Sequence, residues 1–590
     1  MKRKGLVITL VVVIVIGIGV AVVLGLLAAA GLIGKPSVAR QTILELDLEQ
    51  PVIEAVPDSP AGQLLMKELM TTRTIVEALL RGAEDDRVVA LVARIGGGGL
   101  SMAQAQEIRD AVAAFRESGK PAIAFAETFG EVGPGNVGYY VATAFDEIWL
   151  QPSGDLGLTG FMLESPFIRK TLDKLDIKVR MDHRYEYKNA MNTFTETKFT
   201  APHREALEAL LDAWHGQLVA GIAQGREIAP DEVERLIDRG PYLGREAVDA
   251  GLVDRLGYRD EMLAALREDV GESARLLYVS RYRQRAGGPW AKGRRIALVY
   301  GVGAVTRGES AFDVLSGTQT MGSDSVTRAL RAATEDDDVV AIVFRVDSPG
   351  GSYVASDAIW REVNRARDAG KPVIVSMGGV AGSGGYFVAM SADRILAQPG
   401  TITGSIGVLG GKFVTTGFWD KLGVTFDEVH RAENATMYSS IRDYSPFGWS
   451  RHQAWLDRVY DDFTRKVAEG RSLPLERVRE IAKGRIWAGS DALELGLVDE
   501  LGGLARAVEL ARELAGLEPD EPVALRVYPR PKGLLEALRA GQRESSEQVL
   551  ARELQAILAR VQPAVRLAER VGLVEPAERP LAVPELPAVR

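Results

Sequence analysis

Two positions in this chain carry side chains whose type and setting suit covalent attack on a carbonyl. The first is Ser383, in Gly379-Val-Ala-Gly-Ser-Gly-Gly385, where the flanking glycines permit unusual backbone angles and close approach of a substrate. The loop follows a β-branched run ending near Ser376 and precedes an apolar run, Tyr386 to Met390, that should begin a helix. A hydroxyl at a helix N-terminus meets free N–H groups and a dipole that stabilise developing negative charge. An ordinary structural N-cap has the same pattern, so the loop alone does not separate the two readings. A second small-residue loop, Ser348-Pro-Gly-Gly-Ser352, also follows a strand and opens a helix. The N–H of Gly350 or Gly351, together with that of Gly384, could form an oxyanion hole, each donor being worth about 3 kcal/mol in a transition state.

A serine nucleophile needs a base. The chain has no cysteine, so thiolate nucleophiles, disulfides and Cys-ligated metals are all excluded. Its five histidines are His183, His203, His215, His430 and His452. None forms a pair with metal spacing, so neither a histidine triad nor a metal or other cofactor is expected. Lysine can act as the base when burial pushes its pKa from about 10.4 toward neutrality, because desolvation disfavours the ammonium. Lys188, in Tyr185-Glu-Tyr-Lys-Asn189 and followed by Ala190 and Met191, has an unusually apolar setting for its type. Most lysines are nonetheless solvent-exposed, and the sequence by itself leaves that reading open.

The elements that must position these residues occur twice. Arg87-Val-Val-Ala-Leu-Val-Ala-Arg94 corresponds to Asp338-Val-Val-Ala-Ile-Val-Phe-Arg345, and Gly119-Lys-Pro-Ala-Ile-Ala-Phe125 to Gly370-Lys-Pro-Val-Ile-Val-Ser376. Further on, Gly138-Tyr-Tyr-Val-Ala142 matches Gly385-Tyr-Phe-Val-Ala389, and Gly251-Leu-Val-Asp-Arg-Leu-Gly257 matches Gly496-Leu-Val-Asp-Glu-Leu-Gly502. Repeats of roughly 250 residues are whole domains rather than solenoid units. The copies differ where chemistry is possible: Asn136 stands at the position of Ser383, Ala435 at that of Lys188, and neither copy has both residues. His183 aligns with His430, which suggests a shared structural role.

Each copy alternates β-branched runs with helical stretches, the signature of an α/β domain with largely parallel strands. In the second copy Ile296–Tyr300, Val339–Phe344 and Val373–Ser376 read as buried strands, with helices at 325–334 and 356–369 between them. Both glycine loops then fall at the carboxyl ends of strands, where such sheets bind ligands.

A chain of 590 residues is too long for one core and suits two large domains with appendages. Its net charge of −9 argues against a nucleic-acid partner. Met1-Lys-Arg-Lys4 precedes an uncharged stretch from Gly5 to Gly34. That stretch exceeds the roughly 7–15 residues of a signal-peptide core and can span about 30 Å of hydrocarbon. It reads as a signal anchor with the basic N-terminus in the cytoplasm and all that follows Lys35 outside. The alternative is a cleavable signal ending near Ala28-Ala-Ala30. Expected domains are therefore the tip and anchor (1–36), a first repeat (37–280), a surface linker (281–295), a second repeat (296–528) and a helical, Pro-rich extension (529–590). The linker's basic residues could instead face a membrane.

Taken together, Arg345-Val-Asp-Ser-Pro-Gly-Gly-Ser352, Ala381-Gly-Ser-Gly-Gly-Tyr386, Thr403-Gly-Ser-Ile-Gly407, Tyr187-Lys-Asn-Ala190 and Gly484-Arg-Ile-Trp-Ala-Gly-Ser-Asp-Ala-Leu-Glu-Leu-Gly-Leu-Val-Asp499 resemble the signal peptide peptidase A family in its long, duplicated, protease IV form. The resemblance extends from the anchor to about Val527. It implies tandem ClpP/crotonase-like domains and a Ser-Lys dyad: Ser383 as nucleophile, Lys188 as general base, and Ser405 as the hydroxyl that orients the lysine. Leu158 replaces Ser405 in the first copy. The resemblance further implies a homotetramer on the outer face of the cytoplasmic membrane that cleaves released signal peptides. Two departures are visible: Gly382 where a larger small residue is expected, and Asp347 where asparagine is usual. A crotonase-like acyl-CoA enzyme, or a non-catalytic membrane scaffold with the same fold, are the competing readings.

Overall fold

The computed structural model describes residues 37–96, 99–313 and 316–529. The expected anchor (1–36) lies outside the described residues, as does the extension from 530 onward. Among the described residues no helix is long and apolar enough to cross a membrane. Residues 37–55, 69–311 and 318–529 belong to one compact unit. Residues 56–68 and 312–317 belong to a second, in which a short helix, Pro60–Met66, is capped by the Ser59 side chain.

The first half contributes strands β1 (Thr42–Leu48), β2 (Val88–Ile95), β3 (Ala122–Ala126), β4 (Glu147–Leu150), β5 (Lys178–Arg184), β6 (Arg255–Leu256) and β7 (Arg275–Tyr278). All but β5 form one parallel sheet in the order β6-β4-β3-β2-β1-β7. The second half contributes β8 (Arg294–Val302), β9 (Val339–Ser348), β10 (Val373–Gly382), β11 (Arg394–Ala397), β12 (Ile402–Gly404), β13 (Val408–Val414), β14 (Ile486–Ala488), β15 (Glu500–Leu501) and β16 (Val523–Tyr528). Its sheet runs β14-β12-β10-β9-β8-β16, with β11 and then β15 branching from β10, and only the β12–β14 pair is antiparallel. Strands β9 and β10 are buried along most of their length, as expected where helices cover both faces of a parallel sheet.

The helices used below are α1 (Thr72–Glu84), α2 (Met102–Arg116), α3 (Asn136–Ala142), α4 (Ala201–Arg226) and α5 (Val279–Ala286), then α6 (Ser323–Glu335), α7 (Tyr353–Asp368), α8 (Gly384–Ala389), α9 (Pro446–Arg471) and α10 (Leu504–Leu514). The duplication is visible in polar staples. Lys120 Nζ donates to the carbonyls of Gly82, Ala83 and Asp85 at the end of α1, and Lys371 Nζ does the same to Ala333 and Asp336 at the end of α6. Tyr139 and Tyr386, both fully buried, donate to the carbonyls of Leu252 and Leu497. Asp254 and Asp499 accept the N–H of Ile148 and Ile395, each at 2.7 Å. Each staple satisfies backbone groups that would otherwise be left without partners at helix ends and sheet edges.

The segment expected as a surface linker is only partly one. Helix α5 runs into it, Tyr282 is fully buried with its hydroxyl on Asp85 at 2.7 Å, and Arg283 pairs with the buried Glu77. The carboxylate that neutralises Arg283 lies some two hundred positions earlier, beyond the reach of any local pattern.

The two halves are locked together by charge and by strand pairing. Arg345 on β9, 2% exposed, donates to Glu54 Oε2 (3.0 Å), Glu107 Oε2 (2.7 Å) and Ser376 Oγ (2.7 Å). Glu107, on α2 of the first half, also accepts the N–H of Leu504 at the start of α10. The second link is an antiparallel ribbon in which β5 of the first half pairs with β13 of the second, from Lys178↔Val414 to Arg184↔Val408.

Candidate active site

The ribbon explains how residues 195 positions apart in sequence meet. In an antiparallel pair, moving forward along one strand means moving backward along the other. Four residues past Arg184 is Lys188, and four before Val408 is Gly404, next to Ser405. Ser383 N–H donates to Gly404 O at 2.8 Å, so the strand that leads into Ser405 also fixes the serine loop.

Lys188 Nζ lies 3.0 Å from Ser383 Oγ, 2.9 Å from Ser405 Oγ and 2.7 Å from Ser405 O. A neutral amine has two N–H donors and one lone pair. The two serine 405 oxygens take the donors, and the lone pair is left to accept the Ser383 hydroxyl proton. Lys188 is 6% exposed, and burial alone lowers its pKa from 10.5 to about 7, with no neighbouring charge contributing. A buried cation without a counter-ion is costly, so the fold favours the neutral form that a general base requires.

Ser383 sits where β10 passes into α8, with φ 55° and ψ −116°. This region is costly for a residue with a Cβ and is held only when surrounding contacts dictate it. Those contacts come from the other glycine loop: a Cβ on Gly350 (φ 96°) would lie 2.6 Å from Gly384 N and 2.7 Å from Ser383 Cβ. Helix α8 has only six residues, so the macrodipole expected from the sequence is small and the useful donors are local N–H groups. Gly350 N–H already donates to Ser348 Oγ at 3.2 Å. Among the described residues, the N–H groups of Gly351 and Gly384 donate to no protein acceptor, and a Cβ on Gly384 would lie 3.0 Å from Gly351 N. Of the three candidate donors, these two are therefore free to meet an oxyanion.

Asp347, noted as a departure, has a structural task. Its Oδ1 accepts the N–H of Val380 at 2.9 Å, tying the end of β9 to the segment of β10 that leads to Ser383. Burial, with the charge of Glu54 adding to it, pushes its pKa up to about 6.

In the first half the corresponding place is closed. Asn136, 4% exposed, accepts the N–H groups of Thr159 (2.9 Å) and Gly160 (3.1 Å) and donates to Gly160 O (2.7 Å), and Leu158 is fully buried. The site thus takes a lysine from one half and two serines from the other. The histidines do not share a role: His183 contacts Tyr185 O on the ribbon, whereas His430 lies outside any regular element beside Glu428. Among the described residues no group of His, Asp or Glu is arranged to hold a metal ion.

The sequence reading passed over two sets of residues. Glu54 and Glu107 neutralise Arg345, and the turn Lys483-Gly484-Arg485 packs against Lys188. The second had a signal, since Gly484-Arg-Ile-Trp487 stood among the stretches that carried the resemblance, but nothing in the sequence showed what it touches.

Comparison with known proteins gives a consistent picture. The family model described as Peptidase family S49 matches residues 114–272 and again 365–518, once in each half. The chloroplastic serine protease SPPA of Arabidopsis thaliana is 29% identical over 477 residues, covering 79% of this chain and 69% of its own. Protease 4 of Salmonella typhi is 32% identical over 471 residues (76% and 74%), and Protease 4 of Haemophilus influenzae 30% over 474 residues (77% and 74%).

Proposed function

This chain belongs to peptidase family S49 and is a serine endopeptidase, and from that premise we propose that Ser383 is its nucleophile and Lys188 its general base. The observation that carries the assignment is the 3.0 Å approach of a buried, counter-ion-free lysine amine to a serine hydroxyl in a strained turn. Neutral Lys188 takes the Ser383 proton as Oγ attacks the scissile carbonyl. The N–H groups of Gly351 and Gly384 receive the oxyanion. The ammonium of Lys188 returns its proton to the leaving amine, and the freed lysine then activates the water that hydrolyses the acyl-enzyme. Ser405 holds the amine in line throughout.

The substrates, in this reading, are released signal peptides and other apolar peptides. The chain is held by a helix over 1–36 on the outer face of the cytoplasmic membrane and works as a homotetramer. Support for these points is the uncharged stretch Gly5–Gly34 behind three basic residues, together with the sequence resemblance described above. The likeness of each half to the ClpP and crotonase folds belongs to the same proposal, supported by parallel sheets with glycine loops at their carboxyl ends. Degradation of a synthetic signal peptide by full-length protein in detergent tests the assignment. Ser383→Ala and Lys188→Ala should each abolish cleavage while leaving the fold intact, and full activity in both would refute the dyad.

A further inference from the structure

The base is not held by its own half of the chain alone. A Cβ on Gly484 would lie 2.5 Å from Lys188 Cβ and 2.6 Å from its Cα and N, so the backbone of this second-half turn rests directly on the lysine's backbone. Lys483 (φ 53°) and Gly484 (φ 84°) are both left-handed, which exposes a row of polar groups on either side of the turn. On one side the Lys483 carbonyl accepts the N–H groups of Tyr185 (3.3 Å) and Tyr187 (3.1 Å), just before Lys188. On the other, Gly484 N–H donates to Ile406 O (2.8 Å) and the Arg485 carbonyl accepts Ser405 N–H (2.7 Å). One turn therefore holds both the base and the hydroxyl that orients it.

The side chain of Arg485 closes this arrangement. Its guanidinium lies 4.3 Å from the Trp487 ring and 5.0 Å from the Tyr187 ring, and it pairs with Glu205 of α4. Tyr187 donates its hydroxyl to the same carboxylate at 2.8 Å. Tyr187 and Glu205 belong to the first half, Arg485 and Trp487 to the second, so the stack bridges the halves immediately beside Lys188.

We propose that Arg485, latched by Tyr187 and Glu205, is a positioning residue that keeps the Lys188 amine dry and in line with Ser383. This rests on the dyad reading above and deepens it. No charged neighbour tunes the lysine, so exclusion of water is what sets its proton affinity, and opening the latch should raise that affinity.

The test is the pH dependence of kcat and kcat/KM for an apolar peptide, measured on the full chain for wild type, Arg485→Ala, Arg485→Lys and Glu205→Gln. Arg485→Ala should move the acid limb up by about one pH unit, giving a roughly five-fold deficit at pH 7 that all but vanishes at pH 9, with KM unchanged. Arg485→Lys keeps the charge without the planar fork and should fall between the two, as should Glu205→Gln. An unmoved limb in Arg485→Ala, whether with full activity or with a uniform loss at every pH, overturns the proposal. Should that variant not fold, Glu205→Gln and Tyr187→Phe carry the same readout, and unmoved limbs in both overturn it equally. Wild-type activity in Lys188→Ala would instead sink the dyad reading itself.

Discussion

Burial of Lys188 predicts both when this peptidase works and what its base costs the fold. With the amine at about 7, protonation removes the lone pair that accepts the Ser383 proton, so kcat/KM should fall as pH drops through 7. About half of the plateau activity remains at pH 7, about a tenth at pH 6 and about a hundredth at pH 5. Moving the amine from 10.5 to about 7 corresponds to about 5 kcal/mol of destabilisation at acid pH. The sign follows from proton counting: between about pH 7 and 10.5 the unfolded lysine is protonated and the folded one is not. Stability therefore rises with pH through that window and is indifferent to this group below it. Lys188→Met removes the titration and also loses the hydrogen bonds to Ser405, but that loss does not depend on pH. The stability of Lys188→Met relative to wild type should accordingly decline by about 2 kcal/mol between pH 7 and pH 9. Urea unfolding of both proteins at the two pH values measures this, beside a pH–rate profile of the wild type. A difference that is the same at pH 7 and pH 9, with kcat/KM flat from pH 5 to 9, would refute the claim that Lys188 is a desolvated, neutral base.

Three other outcomes follow from the geometry. Ser405→Ala removes the Oγ partner at 2.9 Å but leaves the carbonyl at 2.7 Å, so steady-state kinetics should show kcat down by about 10- to 100-fold with KM nearly unchanged. Gly350→Ala would drive a methyl group to 2.6 Å from Gly384 N and 2.7 Å from Ser383 Cβ; kcat should drop at least ~100-fold while circular dichroism stays native. Arg345→Met strands Glu54 and Glu107 in the interior at a cost of about 3–5 kcal/mol, visible as a lowered unfolding midpoint, and adding Glu54→Gln with Glu107→Gln should recover much of it.

The sequence made the cores of the elements legible and hid their ends. Strands expected at Val339–Phe344 and Val373–Ser376 continue to Ser348 and Gly382, because Arg345, Asp347 and the glycines interrupt the apolar run while the backbone goes on pairing. Burial of Arg345 could not be read locally, since its two carboxylates come from the other half. Ser383 and Lys188 each have a suggestive local setting that an ordinary N-cap or an exposed lysine would share, and the asymmetry of the repeats is what sets them apart. The ribbon that unites them is hard to see in the sequence because β5, Lys-Val-Arg-Met-Asp-His-Arg, alternates four charged residues with only Val179, Met181 and His183, none fully buried, so its apolar stripe is too thin to stand out. Gly484 and Arg485 meet Lys188, Tyr187 and Glu205 only across the halves, which a linear pattern does not record.

The central claim is that one active centre is divided between the two halves, and covalent trapping tests it most directly. Wild-type protein treated with a serine-directed fluorophosphonate should be modified at Ser383 alone, as located by peptide mass spectrometry. The labelling rate should fall by about 100-fold or more in Lys188→Ala, where the base from the first half is missing. Modification of a different serine, or labelling of Ser383 at the wild-type rate in Lys188→Ala, would contradict it.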